Sequence, residues 1–139
     1  EDFTGDEPSF FGPLQLGETL DDSLMLNQGL PEALGARLGG CYQLLYFMRG
    51  DGLLSDQERR MLHALLRART PVLPLLITRG GLKIQGFESL VDVEGELARR
   101  CDARRGTSYL LDPQARVIAR WRRLDLDEVG KAMAQASPP

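Results

Sequence analysis

The stretch from Gly106 to Trp121, GTSYLLDPQARVIARW, constrains this chain more than any other. Thr107–Leu111 and Arg116–Trp121 are both rich in strand-forming side chains, and Asp112 and Pro113 stand between them. Asp suits the first position of a type I turn, and the fixed φ of Pro suits the second. Two such runs, joined so tightly, form an antiparallel hairpin with a two-residue turn. Strict alternation then puts Val117, Ala119 and Trp121 on one face and Ile118, Arg120 and Arg122 on the other.

The rest of the chain supplies a sheet for that hairpin to join. Leu24–Leu26 reads as a first short strand. Leu30–Leu38 reads as a short helix, with Pro31 in its first turn and Gly39–Gly40 stopping it. Tyr42–Met48 is a nearly continuous apolar and aromatic run suited to a central strand buried on both faces. Ser55 and Glu58 form a capping box for a helix that carries Met61, Leu62, Leu65 and Leu66 on one face and turns His63 to solvent. Val72–Ile77 is the next strand, and Pro74 places it near an edge or distorts it. Leu82–Phe87 reads as a short extended segment. Val91–Ala103 reads as a helix with Val93, Leu97 and Cys101 on one face. Asp125 caps a last helix with Leu126, Val129 and Met133 turned inward.

At 139 residues the chain is long enough for one core. Residues 1–20, rich in Gly and Pro with scattered Phe, read as an extended arm or interdomain linker. Residues 21–136 form the domain, and 137–139 a frayed tail. The chain begins with Glu1 rather than Met, which fits a fragment of a longer protein. A net charge of −3 argues against nucleic acid as the partner. Residues 1–36 hold eight acids and no Lys or Arg, whereas Arg99–Arg123 holds eight arginines against two acids. An acidic arm could therefore lie on a basic region, in the same chain or across a dimer; otherwise both are solvated. Two distant cysteines fit a reduced, cytoplasmic setting better than a disulfide framework. No apolar run is long enough for a membrane span.

The segment ARRCDARRGTSYLLDPQARVIARWRRLDLDEVGKAMAQA, Ala98–Ala136, resembles the end of the C-terminal thioredoxin-like domain of FAD-dependent aromatic-ring hydroxylases of the phenol hydroxylase and hydroxyphenylpropionate hydroxylase type. Gly106, Thr107, Tyr109, Leu110, Leu111, Pro113, Val117, Ala119, Arg120 and Trp121 carry the match. Asp112 and Ile118 depart from it, standing where arginine and alanine are more usual. The element order fits the same fold class: α/β, thioredoxin-like, a central mixed sheet flanked by helices with a late antiparallel hairpin. The resemblance implies a parent monooxygenase using FAD and NAD(P)H. It implies partners in that parent's FAD-binding and substrate domains, a homodimer, and a structural, dimer-supporting role for this domain.

The chain itself carries none of the residues such chemistry uses. A thioredoxin-like dithiol needs Cys-x-x-Cys after the central strand, where helix amides lower the thiol pKa. That position reads Arg49-Gly50-Asp51-Gly52, with Arg49 and Asp51 left as candidates for binding only. Cys41 precedes the strand, and both it and Cys101 read as small buried hydrophobes. The cis-proline expected before the late strand is missing; Thr107 and Ser108 stand there. The dinucleotide fingerprint is absent, because Gly35, Gly39 and Gly40 lack its spacing. One His and two Cys make no metal site. No catalytic, cofactor-binding or metal residue is therefore assigned. The candidate interface residues are Arg120, Trp121, Arg122, Arg123, Phe10 and Phe11; the competing reading puts Trp121 in the core. Two alternatives remain: a free-standing thiol enzyme using Cys41 or Cys101, and a stand-alone interaction module.

Overall fold

Every second side chain of the central strands enters one of two apolar layers, and this organises the molecule. The computed structural model describes residues 5–6, 10, 17–20, 23–48, 53–80 and 84–136. Its strands are β1 (Gly5–Asp6), β2 (Leu24–Asn27), β3 (Leu30–Ala33), β4 (Tyr42–Phe47), β5 (Val72–Thr78), β6 (Glu88–Asp92), β7 (Ser108–Leu111) and β8 (Val117–Trp121). The helices are α1 (Asp56–Leu66), α2 (Glu96–Arg100) and α3 (Leu126–Ala136). The eight strands form one mixed sheet in the order β1-β8-β7-β4-β5-β6-β2-β3. The pairs β4–β5 and β5–β6 are parallel; β7 runs antiparallel to both β4 and β8.

Leu45 and Phe47 of β4, with Leu75 and Ile77 of β5, face a layer formed by Leu97 of α2, Leu34, Leu20 and Phe10. Leu44, Tyr46, Val72 and Leu76 face the other layer, with Leu62 and Leu65 of α1 and Val129 and Ala132 of α3. A strand buried on both faces needs the nearly continuous apolar run that Tyr42–Phe47 provides, and its one buried polar side chain, Gln43, donates to Arg37 O and accepts from Gly39 N. Ser55 caps α1 as expected: its Oγ accepts from Glu58 N, and the Glu58 carboxylate accepts from Ser55 N. Asp125 Oδ1 accepts from the amides of Asp127 and Glu128 at the start of α3.

Several expectations change. Leu30–Leu38 is no helix: Leu30–Ala33 pairs with β2 as an edge strand, and Leu34–Arg37 is a single 3-10 turn. Gln28 (φ 52°) and Gly29 (φ 83°) form the two-residue hairpin turn, both left-handed as a type I′ turn requires. Pro31 is tolerated because β3 is the sheet's edge. β5 is interior rather than an edge strand, yet Pro74 lies opposite Leu44 just before pairing with β6 begins at Leu75. The ring thus sits where β5 still has one neighbour. The described part of Leu82–Phe87 is a loop, and the strand begins only at Glu88. Val91 and Asp92 belong to that strand, and the helix is confined to Glu96–Arg100 because Glu94 and Gly95 take positive φ. α1 ends at Leu66, before Arg67–Arg69.

The opening hairpin is present with a different turn. Ala115 N donates to Asp112 O at 2.9 Å, closing a type I turn over Pro113 and Gln114, and Ala115 follows at φ 65°. Asp112 N then donates to Arg116 O, so three residues form the loop. Asp112 Oδ1 accepts from the amides of Gln114 and Arg116, while its second oxygen holds the Arg116 guanidinium. The pairing slips by one residue, with Leu110 opposite Ala119 but Leu111 opposite Val117. This bulge breaks strict alternation. Val117 joins the α2 layer, while Ala119 and Trp121 face α1 and α3.

Candidate functional site

The carboxyl ends of parallel strands are where α/β sheets place ligands and chemistry. Here that rim gathers the end of β4, the start of α1, the loop before β7 and the segment after β8, because β7 runs antiparallel to β4. A cleft of about 480 Å³ opens at this point, lined by Tyr46, Ser55, Glu58, Met61, Arg123 and the Arg105–Gly106 loop. The Tyr46 hydroxyl donates to the Glu58 carboxylate, which is also committed to the α1 cap. The first turn of α1 is closed by its own residues. Arg49 and Asp51 lie outside the described residues.

Neither cysteine enters this cleft. Cys101 is 1% exposed, behind the α2 layer, and burial pushes its thiol up to about 12. Cys41 sits at the opposite, amino end of β4 and is exposed rather than buried, because β4 enters the sheet only at Tyr42. Both are free thiols. His63, expected in solvent, is half-buried with its ring 4.7 Å from that of Phe87. Among the described residues no group of three or more His, Cys, Asp or Glu is placed to hold a metal ion. Among the described residues there is no glycine cradle after β4 for the pyrophosphate of FAD. Gly35, Gly39 and Gly40 precede β4 rather than follow it, and the α1 amino end that would seat a pyrophosphate holds a capping box.

The candidate interface residues divide between the two faces of the sheet. Phe10 is 8% exposed and meets Tyr109 edge-on at 5.8 Å. The guanidinium groups of Arg120 and Arg122 lie 4.9 and 3.9 Å from its ring centre. Arg122 also pairs with Asp102 at 2.7 Å. Trp121 is 4% exposed, on the opposite face with α1 and α3. Burial removes Phe10, Arg120 and Trp121 from the chain's free surface; Arg123 stays exposed and Phe11 lies outside the described residues. The arm therefore meets the basic segment through an aromatic ring and backbone. β1 pairs with Ala119 and Arg120, Val117 N donates to Glu18 O, and Arg100 reaches Thr19 O.

Sequence reasoning missed Tyr109. Its hydroxyl donates to Cys101 O, and burial raises its pKa above the usual phenol value. A fully buried tyrosine in a strand facing a helix end needs such a carbonyl. The only sequence signal was its place inside the matched GTSYLL stretch.

No family model and no curated protein sequence matches this chain. Solved structures do. The thiol peroxidase from Chromobacterium violaceum matches with a TM-score of 0.67 at 13% identity, covering 90% of each chain. The flavin-dependent monooxygenase PieE matches with a TM-score of 0.60 at 22% identity. Aklavinone-11 hydroxylase matches with a TM-score of 0.57 at 15% identity. The matches to these two enzymes span 81% and 80% of this chain but only 18% and 19% of theirs. The fold is thioredoxin-like α/β, with peroxidase and monooxygenase neighbours alike. No helix among the described residues is long and apolar enough to cross a membrane.

Proposed function

We propose that this chain is a redox-inactive thioredoxin-like domain from the C-terminus of an FAD-dependent aromatic hydroxylase, where it supports architecture and dimer contacts. The observation that carries the reading is the start of α1. A working thiol would stand there, but Ser55 caps the helix, and Tyr42–Leu66 contains no cysteine. The likeness of Ala98–Ala136 to the hydroxylase terminus supports the assignment to that parent, as do partial-length matches to two FAD enzymes. The flavin, NAD(P)H and substrate residues belong to the parent's other domains, as does the homodimer's remaining contact surface. The test is the native polypeptide, captured from its source cells with an antibody to this chain. The reading expects a polypeptide several times longer with bound FAD. A flavin-free polypeptide of 139 residues refutes it.

The full-length likeness to a thiol peroxidase favours a second reading, a free-standing thiol enzyme. Peroxide consumption by the chain, lost in a Cys41→Ser/Cys101→Ser variant, would select it. The protonated, buried Cys101 and the position of Cys41 away from the α1 amino end count against it.

A further inference from the structure

Four arginines distant in sequence converge on the rim described above. Arg79 follows β5, Arg104 and Arg105 precede β7, and Arg123 follows β8. They flank two neighbouring clefts of about 390 and 480 Å³, separated by the Arg104–Gly106 loop. All four are exposed, and none forms an ion pair with a carboxylate among the described residues. Among the described residues, the carboxylates that line the clefts or adjoin them at Arg122 are already hydrogen-bonded. Asp92 accepts from the Leu97 and Ala98 amides at 2.9 Å, Glu58 serves Tyr46 and Ser55, and Asp102 holds Arg122.

Arg79 is seated rather than loose. Its guanidinium lies over Gly95, where a Cβ would come within 2.7 Å of it, and Gly95 takes φ 68°. A concave cationic rim on a chain of net charge −3 is a local field opposed to the global one. Guanidinium forks match phosphate and carboxylate oxygens bidentately. We propose that this rim binds a small polyanion, with oxyanion groups seated in the two clefts on either side of the Arg104–Gly106 loop. The site is independent of the flavoenzyme reading, since it uses only this chain's residues.

Titration calorimetry on the whole chain at constant ionic strength tests it, with inorganic pyrophosphate and succinate as separate probes. The expected result is saturable one-to-one binding of at least one probe. Arg104→Ala/Arg105→Ala should weaken it at least tenfold. Arg60→Ala/Arg67→Ala, which removes the same charge from α1 and its C-cap, should leave it within twofold. Tighter pyrophosphate assigns a phosphorylated ligand; tighter succinate assigns a carboxylate. Arg79→Gln, whose side chain makes no hydrogen bond among the described residues, is the second variant and should weaken the same probe several-fold. Absence of saturable binding by both probes overturns the proposal, as does an equal loss in the α1 control.

Discussion

Phe10→Ala removes the one aromatic ring that anchors the described arm. A buried aromatic side chain removes about 200 Å² from water, which at about 25 cal/mol per Å² is an upper bound of about 5 kcal/mol. Truncation adds the loss of the Arg120 and Arg122 contacts at 4.9 and 3.9 Å. The arm limits the cost, however, because it can detach while the rest of the core stays closed. We therefore expect a loss of about 3 kcal/mol, near the lower end for Phe→Ala in cores. Urea unfolding should read this as a lower midpoint, and thermal unfolding as a drop of about 10 °C. Hydrogen exchange should locate it. The amides of Val117–Arg120 lose protection, since the arm covers that edge of β8 through Glu18 O and β1. A double-mutant cycle with Arg122→Ala should return a coupling of about 1 kcal/mol. A loss under about 1 kcal/mol with unchanged exchange in β8 would refute the account of the arm as an integral part of the fold.

Thiol labelling should modify Cys41 rapidly in the native protein and Cys101 only on unfolding; equal rates would contradict the burial of Cys101. The Cys101 thiol has a folded pKa raised from 9.0 to about 12, so its contribution is intact below pH 9 and is lost as pH rises through about 12. Stability followed by circular dichroism should therefore fall across that window, and the fall should shrink in Cys101→Ala. Ser55→Ala should cost about 1 kcal/mol by removing half of the capping box, measured as a shift in the urea midpoint with unchanged slope. Ala115→Gly should stabilise by about 0.5–1 kcal/mol, because Ala115 holds φ 65° in the hairpin loop; a destabilised variant would argue against that conformation.

Much of this was legible because local signals agreed with tertiary ones. The capping box, the apolar run of β4 and the turn chemistry at Asp112–Pro113 each have a short-range cause that the sheet does not override. What escaped had causes elsewhere. Leu30, Leu34 and Leu38 repeat at helical spacing, yet Gln28–Gly29 turns the chain back on β2, and only Leu34 of the three is fully buried. Residue spacing could not reveal that Pro74 sits one position before β6 begins to pair. The three-residue loop escaped because its left-handed residue is Ala115, where the pattern calls for glycine or asparagine, and nothing local marks Ile118 as the extra residue of the bulge. Its consequence is large, since one slipped residue moves Val117 to the other face of the sheet. The arginine rim is legible only from topology. Positions 79, 104–105 and 123 meet because parallel β5 and antiparallel β7 and β8 bring their ends to one side.

The start of α1 differs from a thiol site in more than a missing sulfur. A helix amino end activates a thiol through free amides and positive dipole charge. Here Ser55 takes the Glu58 amide, Glu58 takes the Ser55 amide, and Asp56 adds a second acid to the first turn. These groups stabilise the helix and leave its capped amides unavailable to a thiolate at position 55, and the Tyr46 hydroxyl is spent on Glu58. A thiol introduced at position 55 would lose the cap and face two carboxylates, which raise rather than lower its pKa. The positive charge of the rim lies instead on Arg105 and Arg123, which line the same cleft as Ser55, and on Arg79 and Arg104, which line the neighbouring one. The helix end is thus arranged to stabilise α1 rather than to activate a nucleophile. A thiol placed at the start of α1 would therefore gain little nucleophilicity from its surroundings.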